Sequence, residues 1–460
     1  MTSTLSWLAP TLVLLYAAAL VILSLGRRDD GAGSDAARWL LDGRRLTLPA
    51  FIATLVTTWY GGILGVGEYS WRFGISTWLV FGVPYYLAAV LFALVLAPRL
   101  RRTGAVSIPE LLAGAYGRGA AATGALGVLA LSLPVAYVLM TATLLQQLVG
   151  LPWVAAVLIA AAFSAGYVSL SGFRAVVRTD MLQLGLMYGG FLLLLPAALA
   201  AVGGLGALWT ALPSGHRAWD GGLGWQAVLV WYFIALQTMV EPAFYQRVFA
   251  ARSPRTARTG VLLSVAMWAV FDFLTTFSGL AARLLLPELD NPLAAYPALA
   301  AEVLPPLLAA VFTLGLFATV MSTLDSYVFL AAATLSHDLL PGGRDEAGER
   351  RRSRFGLWLA AALAAAGAML FDSAVTVWHH VGSVVTSALL LPVAAVHLPR
   401  RWRPSSAWAT ATMIAGATTA TGWLVAADAS GFPLGLEPMF AALAVAVTIW
   451  GAGLVVRRCS

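Results

Sequence analysis

The chain has 460 residues, 60% of them hydrophobic and 11% charged, with a mean hydropathy of +0.83; this composition excludes a soluble multi-domain protein and makes lipid the solvent for most of the chain. The formal charge of +7 rests on 28 Arg, with no Lys, set in short clusters between apolar runs; it reflects loop placement and not a nucleic-acid-binding face. The single cysteine, Cys459, excludes a disulfide framework and a thiolate metal site.

Apolar runs of about 17 to 30 residues predict thirteen membrane spans. They lie near 7–26, 47–73, 76–98, 119–149, 152–170, 179–203, 224–249, 257–286, 305–339, 355–371, 374–396, 406–426 and 434–456. The first run has no basic residue before it and Arg27-Arg28 directly after it. That is the reverse of a signal peptide's charge order, so it reads as a retained span with a periplasmic N-terminus. Alternating sides from there places 25 of the 28 Arg in cytoplasmic segments, leaving Arg72, Arg217 and Arg283 outside. One missed helix would scramble this bias, so a bacterial inner-membrane protein with a cytoplasmic C-terminus is expected. The polar stretches are too short for an independent soluble domain. No Walker-type phosphate loop occurs, which argues against an ATP-driven pump.

Two spans read as interrupted. The second carries Gly61, Gly62, Gly65 and Gly67 after Thr57-Thr58-Trp59-Tyr60, and glycine weakens a helix interior. The seventh carries Gln237-Thr238-Met239-Val240-Glu241-Pro242, where proline removes a backbone donor and clashes with the preceding turn. The two lie five spans apart, as the first members of two inverted repeats would, at 47–203 and 224–396; broken helices in matched positions mark solute sites in secondary transporters. Taken singly, such glycines also serve close helix contacts and such a proline merely kinks.

Four stretches carry a resemblance to a known family. They are Ser107-Ile108-Pro109-Glu110, Gly172 through Gln183 with Thr179-Asp180 at its centre, Gln246-Arg247-Val248-Phe249-Ala250-Ala251, and Met321 through Ser326 leading to Asp338. Over roughly 47–340 the chain resembles the sodium:solute symporter family. The resemblance implies an all-α polytopic LeuT-type fold: a core of five plus five helices, one extra N-terminal helix (1–46), a periplasmic loop at 204–223, and two extra C-terminal helices (397–460).

Thr319, Ser322, Thr323 and Ser326 share one face of the ninth span by helical spacing. By resemblance, the main sodium site takes the Ser322 and Thr323 hydroxyls with the carbonyls of Thr319, Leu55 and Thr58. A second cation site would use Asp180, Ser322, Asp325 and Ser326; Asp325 stands where some family members have serine, which leaves stoichiometry and proton sensitivity open. Glu68, Glu241 and Asp272 are carboxylates at membrane depth, which need partners or a role. Glu241 aligns with the family's solute-contacting position. With Trp59, Tyr60, Gln237, Trp268 and Asp272 it forms a candidate solute site for a sugar, polyol, amino compound or amine. Asp272 could instead be a buried partner for Arg247 or a neighbouring hydroxyl, and Glu68 is expected to pair with Arg72 at i+4.

The expected function is therefore sodium-coupled solute symport. No enzyme activity, protein partner or cofactor beyond the coupling sodium is expected. Proton coupling within the same fold, or a solute sensor, are the alternatives, and the sequence carries no segment expected to serve as an output domain. Adjacent His379 and His380 point in different directions on a helix and are not expected to ligate a metal. His337 beside Asp338 reads as a helix terminus at the interface.

Overall fold

A computed structural model describes residues 8–25, 39–340, 346–371, 373–427 and 431–459. They are helical, with a single β-bridge, Leu46 to Ala251, among the described residues. The long helices, numbered in chain order, are α1 (Leu8–Ser24), α2 (Leu48–Phe73), α3 (Trp78–Arg102), α4 (Arg118–Val149), α5 (Trp153–Leu170), α6 (Phe173–Val202), α7 (Trp225–Ala250), α8 (Pro254–Leu285) and α9 (Pro306–Leu339). They continue with α10 (Glu346–Ala368), α11 (Ala374–Ala395), α12 (Ser406–Val425) and α13 (Pro438–Cys459). Ten of them, α2 to α9 with α11 and α13, are long and apolar enough to cross a membrane. Helices α1, α10 and α12 occupy the other three predicted span positions.

α9 forms the axis of the bundle. From Leu314 to Ala332 every residue is buried, which suits a helix apolar on all sides and surrounded by other helices. Outer helices expose large apolar side chains instead, Leu87 and Leu91 on α3, Leu192 on α6 and Val270 on α8, as lipid contact requires.

Both predicted interruptions are present, each with a local cause. In α2 the α-helix stops at Trp59, passes through one 3-10 turn at Tyr60–Gly62 and resumes at Ile63. In α7 a 3-10 stretch, Ala235–Val240, ends at Glu241 in extended conformation, and Pro242 opens a new helix to Ala250. Proline at a first helical position loses nothing, because that N–H has no intrahelical partner. A third interruption differs from the sequence expectation of one continuous span over 119–149: Leu133 is extended before Pro134, and α4 splits into Arg118–Ser132 and Val135–Val149. The residue before proline avoids the helical region.

Segments expected on the same membrane side meet at the same end of the bundle. Arg44 donates to the carbonyls of Gly104, Ala105 and Phe249, Arg174 pairs with Asp42 at 2.6 Å, and Arg457 donates to the Arg400 carbonyl. The Ser107-Ile108-Pro109-Glu110 motif belongs here too. Ser107 caps the short helix Ile108–Tyr116 and donates to Asp338 at the end of α9, 2.7 Å away. At the opposite end His216 bonds the Trp71 carbonyl and Trp71 donates to Leu286.

The α2 interruption is wedged against its neighbours. A Cβ added at Gly61 would fall 2.1 Å from the Thr323 hydroxyl oxygen, and one at Gly62 would fall 2.5 Å from the Trp378 ring. Gly61→Ala is therefore expected to destabilise the fold by about 1–3 kcal/mol through overpacking, read as a lower thermal midpoint in detergent. Gly185→Ala, whose Cβ meets nothing within 4 Å, should leave the midpoint unchanged or raise it.

Candidate functional site

The polar centre of the bundle lies where α2, α6, α7 and α9 meet. Thr323 donates to the Thr58 carbonyl at 2.9 Å, and the Thr58 hydroxyl lies 2.9 Å from that of Ser326. Ser322 donates to Asp180 Oδ1 at 2.5 Å, and Thr54 donates to its other oxygen. Thr58, Ser322, Thr323 and Ser326 thus come together at the α2 break, all buried. Thr319 is on the same helix and buried, its hydroxyl turned back to the Gly315 carbonyl at 2.7 Å. Leu55 is buried one turn before Trp59.

Arg247 is the residue that sequence reasoning misplaced. Counted with a cytoplasmic loop, though also weighed as a buried partner for Asp272, it sits in the last turn of α7 with no exposed surface. Its Nη2 donates to Thr54, Thr58 and Ser326 at 3.0, 2.8 and 2.7 Å, and its Nη1 to Gln246 at 2.9 Å. Nη2 also lies 3.9 Å from Asp180 Oδ2, and the guanidinium carbon stands 5.3 Å above the Phe173 ring. A signal was available: Arg247 lies inside the predicted span 224–249 and is followed by Val248-Phe249-Ala250.

The four residues of the expected second cation site are not gathered around one point. Asp180 and Ser322 bond each other, and Ser326 bonds Arg247. Asp325 turns the other way, accepting from Ser164 at 2.6 Å and from Tyr167, both on α5. Each carboxylate has its own partners, so the two do not compete for one proton.

A cavity of about 110 Å³ opens beside the α2 break. Of the expected solute residues, Trp59, Tyr60, Gln237, Glu241 and Asp272 line it. Trp268 does not; it stacks behind Trp59 with ring centres 5.6 Å apart. Glu241 accepts from Tyr327 at 2.9 Å, from Gln237 at 3.2 Å and from the Ala243 amide at 3.4 Å. Asp272 accepts from Tyr60 and Tyr86, hydroxyl partners and not Arg247. Glu68 and Arg72 form their ion pair at 3.0 Å. His379 bonds Glu437 at 3.0 Å, and its ring lies edge-on to that of His380 with centres 5.9 Å apart.

The sequence did not single out the other ring systems on the wall: Phe81, Tyr85, Tyr137, Trp231, Tyr327 and Trp378. They come from five helices, α3, α4, α7, α9 and α11, and only the α2 glycines hinted that something large was packed there.

Comparison with known proteins follows the same lines. The family model described as "Sodium:solute symporter family" matches residues 39–396. A sodium/pantothenate symporter of Haemophilus influenzae is 25% identical over 221 residues, covering 46% of this chain and 45% of that protein. The sodium/myo-inositol cotransporter 2 of Homo sapiens is 27% identical over 289 residues, covering 50% and 42%. The chain therefore matches less than half the length of these curated relatives. A solved structure, a substrate-bound outward-open state of a Na+-coupled sialic acid symporter, superposes with a TM-score of 0.81. It covers 98% of this chain and 97% of that one at 14% identity, a likeness of fold. Together with ten apolar helices and four motifs in order, the match over 39–396 establishes that this integral, multi-pass membrane chain belongs to the sodium:solute symporter family.

Proposed function

We propose that the chain is a secondary active transporter that couples a sodium ion to the inward movement of a small polar organic solute by alternating access. It crosses the inner membrane thirteen times, with the N-terminus outside, the C-terminus inside, and two inverted five-helix repeats at 47–203 and 224–396. The observation that carries this reading is the shared break of α2. The Thr58 carbonyl that meets Thr323 and the Trp59, Tyr60 and Gly62 wall of the cavity lie within one stretch of five residues, 58–62.

In this reading sodium binds the Ser322 and Thr323 hydroxyls with the carbonyls of Leu55, Thr58 and Thr319. Hard oxygens of this kind suit such a cation. Thr323 already lies within hydrogen-bond distance of α2, so an ion there would replace that bond with shared coordination and fix α2 against α9. Arg247 supplies the positive charge beside Asp180 and Ser326, the positions of the second cation set, and one sodium per cycle is the stoichiometry this favours.

Sodium is expected to stabilise the purified protein where potassium at equal ionic strength does not. A ligand at a hundred times its dissociation constant adds about 2.7 kcal/mol, which is visible in a thermal scan. Thr323→Ala and Ser322→Ala should each weaken the sodium response by about tenfold, the scale of a lost bond to a charged group. A response equal in sodium and potassium would instead favour proton coupling or a sensor.

Arg247→Met leaves Asp180 buried and unpaired, and should cost about 3–5 kcal/mol. Adding Asp180→Asn should recover much of that loss, measured as a double-mutant cycle on thermal midpoints. Simple additivity would show that the pair is not coupled. Arg247→Lys should rescue poorly, because an ammonium cannot hold Thr54, Thr58 and Ser326 in one planar fork.

A further inference from the structure

Buried acidic residues outnumber buried basic ones in this bundle. Among the described residues, Asp180, Glu241, Asp272 and Asp325 are buried acids, and Arg247 is the one buried base of the Arg and Lys class. Arg247 is spent on Asp180 and on hydroxyls of α2 and α9; none of its donors reaches Glu241 or Asp272. Those two carboxylates line the same cavity, and no Arg, Lys or His lines it with them.

The partners of the two acids are neutral. Tyr327, Gln237 and a backbone amide serve Glu241, and Tyr60 and Tyr86 serve Asp272. Neutral donors ease the burial of a carboxyl group without supplying a compensating positive charge.

The wall around Glu241 is aromatic. Tyr137 lies 5.1 Å from the Tyr327 ring and 6.0 Å from that of Trp378, and all three face the cavity. Negative ring faces attract a cation, most strongly where water is excluded. The volume sets a further limit. At about 110 Å³ the cavity is smaller than the roughly 150 Å³ that holds a benzene ring, so in this conformation it takes a compact molecule.

We propose that the transported solute is a compact organic cation of the alkyl-ammonium class. Its ammonium sits on Glu241 inside the Tyr137, Tyr327 and Trp378 faces, and Asp272 accepts a hydrogen from its other end. This rests on the symport reading given above and narrows it. A carboxylate solute would meet two acids and no base. A neutral polyol would leave both carboxyl groups without a cationic partner.

The test is a thermal-stabilisation panel on the purified full chain, run in sodium and in potassium, with size-matched probes: ethanolamine and methylammonium as cations, ethylene glycol and acetamide as neutral solutes, acetate and glycolate as anions. Stabilisation by the cations alone, stronger in sodium, is the expected result. Glu241→Gln should then weaken the cation response about 10- to 100-fold while the response to sodium alone persists. Sodium-dependent stabilisation by the neutral or anionic probes alone would overturn the cation assignment and leave the symport reading standing. Equal responses in sodium and potassium would overturn the symport reading, whichever probe binds. No response to the six probes in wild-type protein that still responds to sodium would overturn the compact-cation assignment. Should Glu241→Gln fail to fold, Trp378→Leu removes the aromatic face and should lower ethanolamine affinity; unchanged affinity there would also overturn the assignment.

Discussion

A single buried guanidinium holds the polar centre of this bundle. Arg247 reaches from the second half of α7 to Thr54 and Thr58 on α2 and to Ser326 on α9, and lies 3.9 Å from Asp180 on α6. A charge at this depth persists only when its attraction and its hydrogen bonds offset desolvation. Four helices are therefore required to keep their relative positions. Fork geometry matters here, since one planar group fixes several acceptors at once in a way a point charge does not. The position of α2 just before its break is in this sense set by α7, a helix nearly two hundred residues away.

Much of this was legible in the sequence, for identifiable reasons. Span positions followed from hydropathy because lipid enforces long apolar runs. The breaks in α2 and α7 followed from four glycines and from Pro242. Breaking α4 at Pro134 was missed, since one proline in an apolar run is often only a kink. Placement of Glu68 with Arg72 was readable because both lie on one helix, where spacing dictates distance. Asp272 was harder, as its partners Tyr60 and Tyr86 come from other helices.

The largest misreading, Arg247, has the same origin. A positively charged residue at the end of a span looks identical whether it begins a cytoplasmic loop or folds back into the core. Sequence position decides between them only if the partners are known, and those partners, Thr54, Asp180 and Ser326, are spread over three other helices. The cavity aromatics show this limit in reverse. Gly62 and Gly65 were read as helix-weakening, and the reason a side chain is absent at Gly62 is the ring of Trp378 pressed against it.

The α2 break also bears on how an ion and a solute can influence each other. The first half of α2 ends at Trp59, so its last carbonyls, Thr58 among them, form the negative end of a helix dipole pointed at the hydroxyls of α9. Two residues on, the same backbone turns into the cavity wall. A cation that draws Thr58 and Thr323 into one shell stiffens the turn carrying Trp59 and Tyr60, and a solute packed on those rings holds the same turn from the other side. Coupling of this kind is reciprocal: whatever affinity the ion adds for the solute, the solute adds for the ion. A side chain at Gly61, pressed on the Thr323 hydroxyl, would then disturb the ion's shell and the solute-bearing turn together, as a shared structural element requires.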